Sequence, residues 1–221
     1  MSSHHFVRDG QEPSLVIANG ESCSMDLLGQ LLEWNPFVLV LDGALSRVLD
    51  LQVRFDAVLG DFDSVSEHDK DKALQMGVEW VHTPDQQLTD LQKGLEFLIQ
   101  KGHTAANVLW ATGRRADHHF NNLATLPMFA GKIQVSVIDD YSRVFVLPPK
   151  FRKWYPKGTQ LSLLPINHVH GVSTSNLEFE LSRESLHLPL RSGSSNRVKE
   201  DGFVEIVHEA GYLLLMECRD N

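Results

Sequence analysis

A change of texture near residue 140 limits the folds open to this chain. Before it, short apolar runs alternate with amphipathic stretches. Leu15-Val16-Ile17-Ala18 reads as a strand, and residues 25–33 read as a helix. A second strand over 37–41 ends at Asp42-Gly43, and apolar runs at 56–59, 78–81, 108–111 and 135–138 continue the series. Between them Leu88, Leu91, Leu95 and Leu98 recur every three or four residues, the spacing of one helix face, and 117–129 behaves similarly. Such alternation predicts an α/β domain with a mostly parallel sheet. After Asp139-Asp140 the runs at 143–147, 159–164, 177–181, 186–190, 203–207 and 213–216 are strand-like. Turn residues separate them: Pro148-Pro149, Pro156-Lys157-Gly158, Asn167, Gly193 and Gly211. The expected architecture is therefore a Rossmann-like α/β domain over 1–142 followed by a small all-β sandwich or barrel over 143–221.

Composition narrows the function. With 221 residues the chain can build one large domain or two modest ones. A formal net charge of −9 argues against a nucleic-acid surface, which needs basic clusters. Cys23 and Cys218 lie near opposite ends without metal-ligand spacing, which disfavours a disulfide framework or a zinc site. No apolar run has the length of a membrane span, and residues 1–10 lack the apolar core of a signal peptide. A cytoplasmic, reduced protein is expected, with no metal role for His4 and His5.

Four polar clusters follow apolar runs in the first part. Asp42-Gly43 ends one strand and Gly60-Asp61-Phe62-Asp63-Ser64 the next. The third cluster is Thr83-Pro84-Asp85-Gln86-Gln87-Leu88-Thr89-Asp90, and the fourth is Thr112-Gly113-Arg114-Arg115-Ala116-Asp117-His118. The C-terminal ends of parallel strands share one edge, where ligands usually bind, so these clusters converge on one crevice. In a locally extended segment Asp61 and Asp63 project to the same side. Paired carboxylates repel unless a cation neutralises them, and an oxygen-only pair suits Mg²⁺ with substrate phosphates. Simpler roles stand beside these: Thr89 or Asp90 suits the cap of the helix beginning at Leu91, and Thr112-Gly113 suits an ordinary strand-to-helix turn. Arg114 and Arg115 suit solvated charges or a phosphate clamp.

These residues, in this order, resemble the thiamine pyrophosphokinase family. That family carries Asp-Gly-Gly after its second strand, Gly-Asp-x-Asp-Ser, a Thr-Asp opening a helix, and Gly-Gly-Arg-x-Asp-His with a downstream Asn. The counterparts here are Asp42-Gly43-Ala44, residues 60–64, Thr89-Asp90, and residues 113–118 with Asn122; Asn19-Gly20-Glu21 also fits. In the second part the matching stretches are Gly171-Val172-Ser173-Thr174, Leu177-Glu178-Phe179, Ser195-Asn196 and Gly211. Ala44, Arg114 and Asn176 stand where the family keeps glycines. The resemblance implies pyrophosphoryl transfer from ATP, as co-substrate, to the hydroxyl of thiamine. It implies Asp61, Asp63 and Asp90 as Mg²⁺ ligands, with Gln86 and Arg115 handling phosphate or nucleophile. Asn19, Asp42, Gly43, Ser64, Thr89, Thr112, Gly113, Asp117, His118 and Asn122 would line the nucleotide site, and Phe179, Ser195 and Asn196 the thiamine site. It also implies a homodimer with thiamine between subunits.

Two other readings compete. Asp117-His118-His119 matches the metal-binding triplet of Asp-His-His phosphoesterases, but His82 and His103 lie outside the acidic clusters. A non-catalytic thiamine or nucleotide sensor would not need Asp61, Asp63 and Asp90 together.

Overall fold

The computed structural model of the chain describes residues 12–219, so His4 and His5 lie outside the described residues. The chain divides into two compact units, one of Met1–Thr125 with Phe129–Val135 and one of Leu126–Met128 with Ser136–Asn221.

The first unit alternates strands and helices: β1 (Ser14–Ile17), α1 (Met25–Leu32), β2 (Val38–Leu41), α2 (Leu45–Asp50), β3 (Ala57–Gly60), α3 (Glu67–Gln75), β4 (Glu79–His82), α4 (Asp90–Gln100), β5 (Ala105–Leu109) and α5 (Ala116–Ala124). The strands run parallel in the order β4-β3-β2-β1-β5, with Val16 opposite both Leu39 and Val108. Every residue of β1, β2 and β3 is buried, as expected of strands covered on both faces. Helices α2 and α3 escape the periodicity argument for different reasons. Six residues are too few to show a period in α2, and α3 buries only Ala73. Strand β5 begins earlier than the apolar run suggests, and it ends earlier because Trp110 turns to φ 56 directly after Leu109. The expected helix over 117–129 stops at Ala124, and a 3₁₀ turn, Leu126–Phe129, carries Pro127, which cannot continue an α-helix.

The second unit is antiparallel: β6 (Gln134–Ile138), β7 (Ser142–Val146), β8 (Lys150–Tyr155), β9 (Gln160–Ser175), β10 (Glu184–His187), β11 (Gly193–Arg197), β12 (Gly202–Val207) and β13 (Ala210–Cys218). The long β9 organises it. Its first half pairs with β13 and β11, and its second half with β10 and β12. Asn167 marks the change, at φ 62, beside a register shift across from Gly211. A Cβ on Gly211 would run into the His168 carbonyl, so glycine is required there. Leu161, Leu163, Val169, Val172, Leu186, Val204, Ile206, Leu213 and Leu215 fill the core.

Several turn and strand expectations are corrected. Asn167, Gly193 and Gly211 lie inside strands, where they serve irregularities rather than chain reversals. Residues 177–181 form no strand; Leu177 makes one isolated bridge to Val198. Strand β8 was hidden because its sequence, KFRKWY, carries three cations.

Candidate active site

The C-terminal ends of the five parallel strands deliver their loops to one edge, as the sequence predicts. A cleft of about 470 Å³ opens there. Of the anticipated residues, Asn19, Asp42, Gly43, Asp61, Ser64, Gln86, Thr89, Asp90, Gly113, Arg115, His118 and Asn122 line it. Asp63, Thr112 and Asp117 do not.

Asp42 clasps two loops together. Its Oδ1 accepts the Gly43 amide at 2.6 Å and its Oδ2 the Phe62 amide at 3.0 Å. The approach is so close that a Cβ on Gly60 would collide with this carboxyl. Burial raises the Asp42 pKa, the two amides oppose that rise, and the charges of Asp90 and Asp61 add to it. Asp42 therefore feels the charge of both other carboxylates. Asp61 is held below the usual range, first by the Asp63 amide on its Oδ1 (3.2 Å), then by Gln86 Nε2 on its Oδ2 (3.2 Å).

Asp63 departs from expectation. Phe62, at φ 62, breaks the extended geometry that would aim Asp61 and Asp63 alike, and Asp63 is left exposed. Among the described residues no three His, Cys, Asp or Glu side chains are arranged to hold a metal ion. Asp61 and Asp90 line one cleft with Asp42, and oxygen-only donors of this kind could hold a hard ion such as Mg²⁺.

Helix α4 presents Asp90 as its first residue, directly after the Thr89 cap. Thr89 Oγ1 accepts the Gln92 amide, and Gln92 Oε1 accepts the Thr89 amide at 2.8 Å, a reciprocal capping box. Thr89 thus takes the structural role weighed for it while still lining the cleft. One turn later, Lys93 donates to Asp90 Oδ1 at 3.3 Å and to the Thr83 carbonyl at 3.2 Å. Sequence reasoning missed Lys93; its position three residues after Asp90 was the available signal.

The cations sort into three roles. Arg115 reaches the cleft but is paired with Asp117 through Nε (3.1 Å) and Nη2 (2.6 Å), both side chains exposed. That pair lowers the Asp117 pKa to about 2. Arg114 lines the cleft and donates to Asn19 Oδ1 at 3.4 Å. Arg47, also missed, braces the first loop: it donates to the Gly20 carbonyl (3.0 Å), Ser22 Oγ (2.9 Å) and Asn19 Oδ1 (2.9 Å), its guanidinium 4.6 Å from the centre of the Trp110 ring. No local pattern around Arg47 pointed to this.

The remaining residues serve mainly to hold loops. Thr112 is buried and its carbonyl accepts the Glu21 amide at 2.8 Å, while Asn122 Nδ2 donates to the Ala111 carbonyl at 2.9 Å. His119 Nδ1 accepts the Gly113 amide at 3.4 Å. With Asp117 bound to Arg115 and outside the cleft, the Asp-His-His triplet does not assemble as a metal site.

In the second unit, Asn196 is buried and brackets the backbone of Phe179. Its Oδ1 accepts the Phe179 amide at 3.1 Å, and its Nδ2 donates to the Phe179 carbonyl at 2.8 Å. Phe179 itself is 68% exposed, so a mostly bare aromatic ring stands on a braced loop. Ser195 is exposed at φ 57, in the register shift of β11, with its amide on Ser162 Oγ at 3.0 Å.

Comparisons with known proteins place the chain in a family. Residues 28–137 match a family model described as the thiamin pyrophosphokinase catalytic domain, and residues 148–213 one described as its vitamin B1 binding domain. A thiamine pyrophosphokinase of Bacillus subtilis (strain 168) is 26% identical over 140 residues, covering 61% of this chain and 64% of the relative. Thiamin pyrophosphokinase 1 of Caenorhabditis elegans is 29% identical over 155 residues, 65% of this chain and 62% of the relative. The match thus spans somewhat under two thirds of each curated relative. The crystal structure of yeast thiamin pyrophosphokinase superposes with a TM-score of 0.82 at 17% identity, over 97% of this chain and 88% of that one, a likeness of fold.

Proposed function

Because this chain belongs to the thiamin pyrophosphokinase family, we propose that it is an enzyme that transfers a pyrophosphoryl group from ATP to thiamine, giving thiamine diphosphate and AMP. The observation that carries the reading is the cleft at the ends of parallel strands, whose wall holds Asp42, Asp61 and Asp90 together with Arg114 and Arg115. In the reaction the thiamine hydroxyl oxygen bonds to the β-phosphorus, the bond from that phosphorus to the α,β-bridging oxygen breaks, and AMP leaves with that oxygen. The hydroxyl proton is lost, and Asp90, its side chain 47% exposed, is an accessible carboxylate to receive it.

Bound Mg²⁺ would neutralise the triphosphate and the charge that develops during transfer. Asp61 and Asp90 are the residues that would hold it, joined by Asp63 once its side chain turns in from solvent. Arg115 clamps phosphate oxygens after exchanging Asp117 for them, since a guanidinium fork fits either anion. Gln86, which donates to Asp61, would steer a phosphate or the nucleophile. Asn19, Gly43, Ser64, Gly113, His118 and Asn122 surround the nucleotide, and Asp42 keeps two of its loops together. Phe179 offers a ring to the cationic heterocycle of thiamine, with Ser195 and Asn196 beside it.

The finer architectural and cellular expectations belong to the same proposal. Nucleotide and metal work falls to residues 1–142, a Rossmann-like domain, and thiamine binding to 143–221, a sandwich or barrel. A strand shared between two sets of partners, as β9 is, supports that closure. The active form is a homodimer with thiamine at the subunit interface, working in the cytoplasm. Among the described residues no helix is long and apolar enough to cross a membrane.

AMP formation from ATP and Mg²⁺, with and without thiamine, tests the function. Thiamine-dependent AMP matched by thiamine diphosphate is expected. Phosphate release indifferent to thiamine, or thiamine binding without turnover, would sink the reading. Asp61→Asn should lower turnover about a hundredfold or more, judged by what single preorganised electrostatic groups contribute.

A further inference from the structure

Lys93 is placed where a charge needs a reason. Its side chain is only 8% exposed, yet it forms part of the wall of the polar cleft. Burial follows from the packing of α4: a Cβ on the neighbouring Gly94 would lie 3.2 Å from a Leu41 methyl and 3.3 Å from a Leu39 methyl, so the helix backbone presses close to β2. The ammonium bonds to the Thr83 carbonyl at 3.2 Å and to Asp90 Oδ1 at 3.3 Å. A buried ammonium is tolerated only when paired, and carboxylates gathered at one cleft repel unless a cation lies near them. Lys93 and the Asp42, Asp61 and Asp90 group meet both needs at once, before any metal ion arrives.

We propose that Lys93 is a positioning residue that serves as the resident counter-ion of this cleft, holding Asp90 in place and weakening the affinity of the empty cleft for a divalent cation. The proposal rests on the reading of Asp61 and Asp90 as the residues that hold the ion. A unit positive charge about 5 Å from a divalent cation, in a largely aqueous dielectric, weakens its binding by roughly tenfold. The nucleotide's own phosphates make up that difference, so the divalent ion enters with the triphosphate rather than ahead of it. The same ammonium then attracts the phosphates.

Binding of Mn²⁺ alone to the full-length, nucleotide-free chain, read from the free-ion electron paramagnetic resonance signal, tests this directly. Lys93→Met should bind Mn²⁺ about tenfold more tightly than the parent, while its kcat falls or its KM for ATP rises. Lys93→Gln keeps a donor for the Thr83 carbonyl without the charge, so it should show the same tightening even where the Met variant folds poorly. Lys93→Arg keeps the charge and should stay within about twofold of the parent for Mn²⁺. A purely structural lysine would leave the ion affinity unchanged or weaker in the folded neutral variants, and that result overturns the proposal. So do neutral variants that, like the parent, bind no Mn²⁺ at all. Tightened Mn²⁺ binding in a chain that forms no AMP would retain the role of Lys93 and discard the pyrophosphokinase reading instead.

Discussion

Arg114 adopts φ 51, a left-handed backbone that costs a non-glycine residue about 1–2 kcal/mol. The family resemblance puts a glycine at that position, and the torsion angle supplies the reason. Asn176, at φ 62, likewise occupies a glycine position and is better suited to it, since asparagine tolerates this region more readily than most residues. Ala44 is different: at φ −97 it needs no glycine, so this departure carries no backbone penalty. The Arg115–Asp117 pair gives a prediction at the same scale. A carboxyl depressed from 3.8 to about 2 contributes stability above 3.8, and that contribution disappears as pH falls toward 2. Both partners are exposed and screened by solvent, so the observable is the carboxyl's own titration rather than unfolding. Carbon-detected NMR should place the Asp117 midpoint near 2, and Arg115→Gln should return it toward 3.8; an unmoved midpoint would contradict the pairing. Saturating ATP should also raise it, if phosphate draws Arg115 away. Residue types at the strand ends were legible in the sequence, whereas the divergence of Asp61 from Asp63 was not. It depends on one positive φ at Phe62, a residue whose identity does not announce it.

Helix α4 joins the sheet to the chemistry. Its capping box fixes the first turn, and the first residue of that turn is Asp90. Thr89→Ala removes the cap and should cost about 1 kcal/mol, typical of lost N-cap threonines, measurable as a lower urea midpoint at unchanged slope. Loss of the cap also frees Asp90, so AMP formation should fall further than the loss of folded protein explains; a variant that is destabilised yet fully active per folded molecule would show that the cap does not position Asp90. The four-residue step from Leu91 to Leu95 made this helix readable, because both side chains are buried against the sheet. By contrast α5 buries no residue fully, so its apolar pattern says little about where it packs. In the second unit, 177–181 reads as a strand and is none, while 150–155 is a strand that the apolar pattern does not show. The apolar residues Leu177 and Leu181 are buried from a loop, while β8, an edge strand, carries three cations.

For the whole molecule the homodimer is the prediction with most at stake. Sedimentation equilibrium should give twice the 24.9 kDa chain mass, and dilution below the dissociation constant should abolish thiamine-dependent AMP formation. A monomer with full activity would contradict it. The alternation of strands and helices, the buried parallel strands and the gathering of polar loops at one sheet edge were all determined by sequence alone. Each follows from periodicity within a segment and from the rule that parallel strands point their ends the same way. Only the tertiary structure decided which polar groups far apart in the chain are partnered. Arg47 braces Asn19 across 28 residues of chain and Arg114 reaches the same side chain across 95. Asn196 holds Phe179 from 17 residues away, and Asp42 holds Phe62 from 20. Hydrophobic patterning is a property of one segment and survives in one dimension. Hydrogen bonds and ion pairs require two atoms within about 3 Å, and that distance is set by the folding of both segments together.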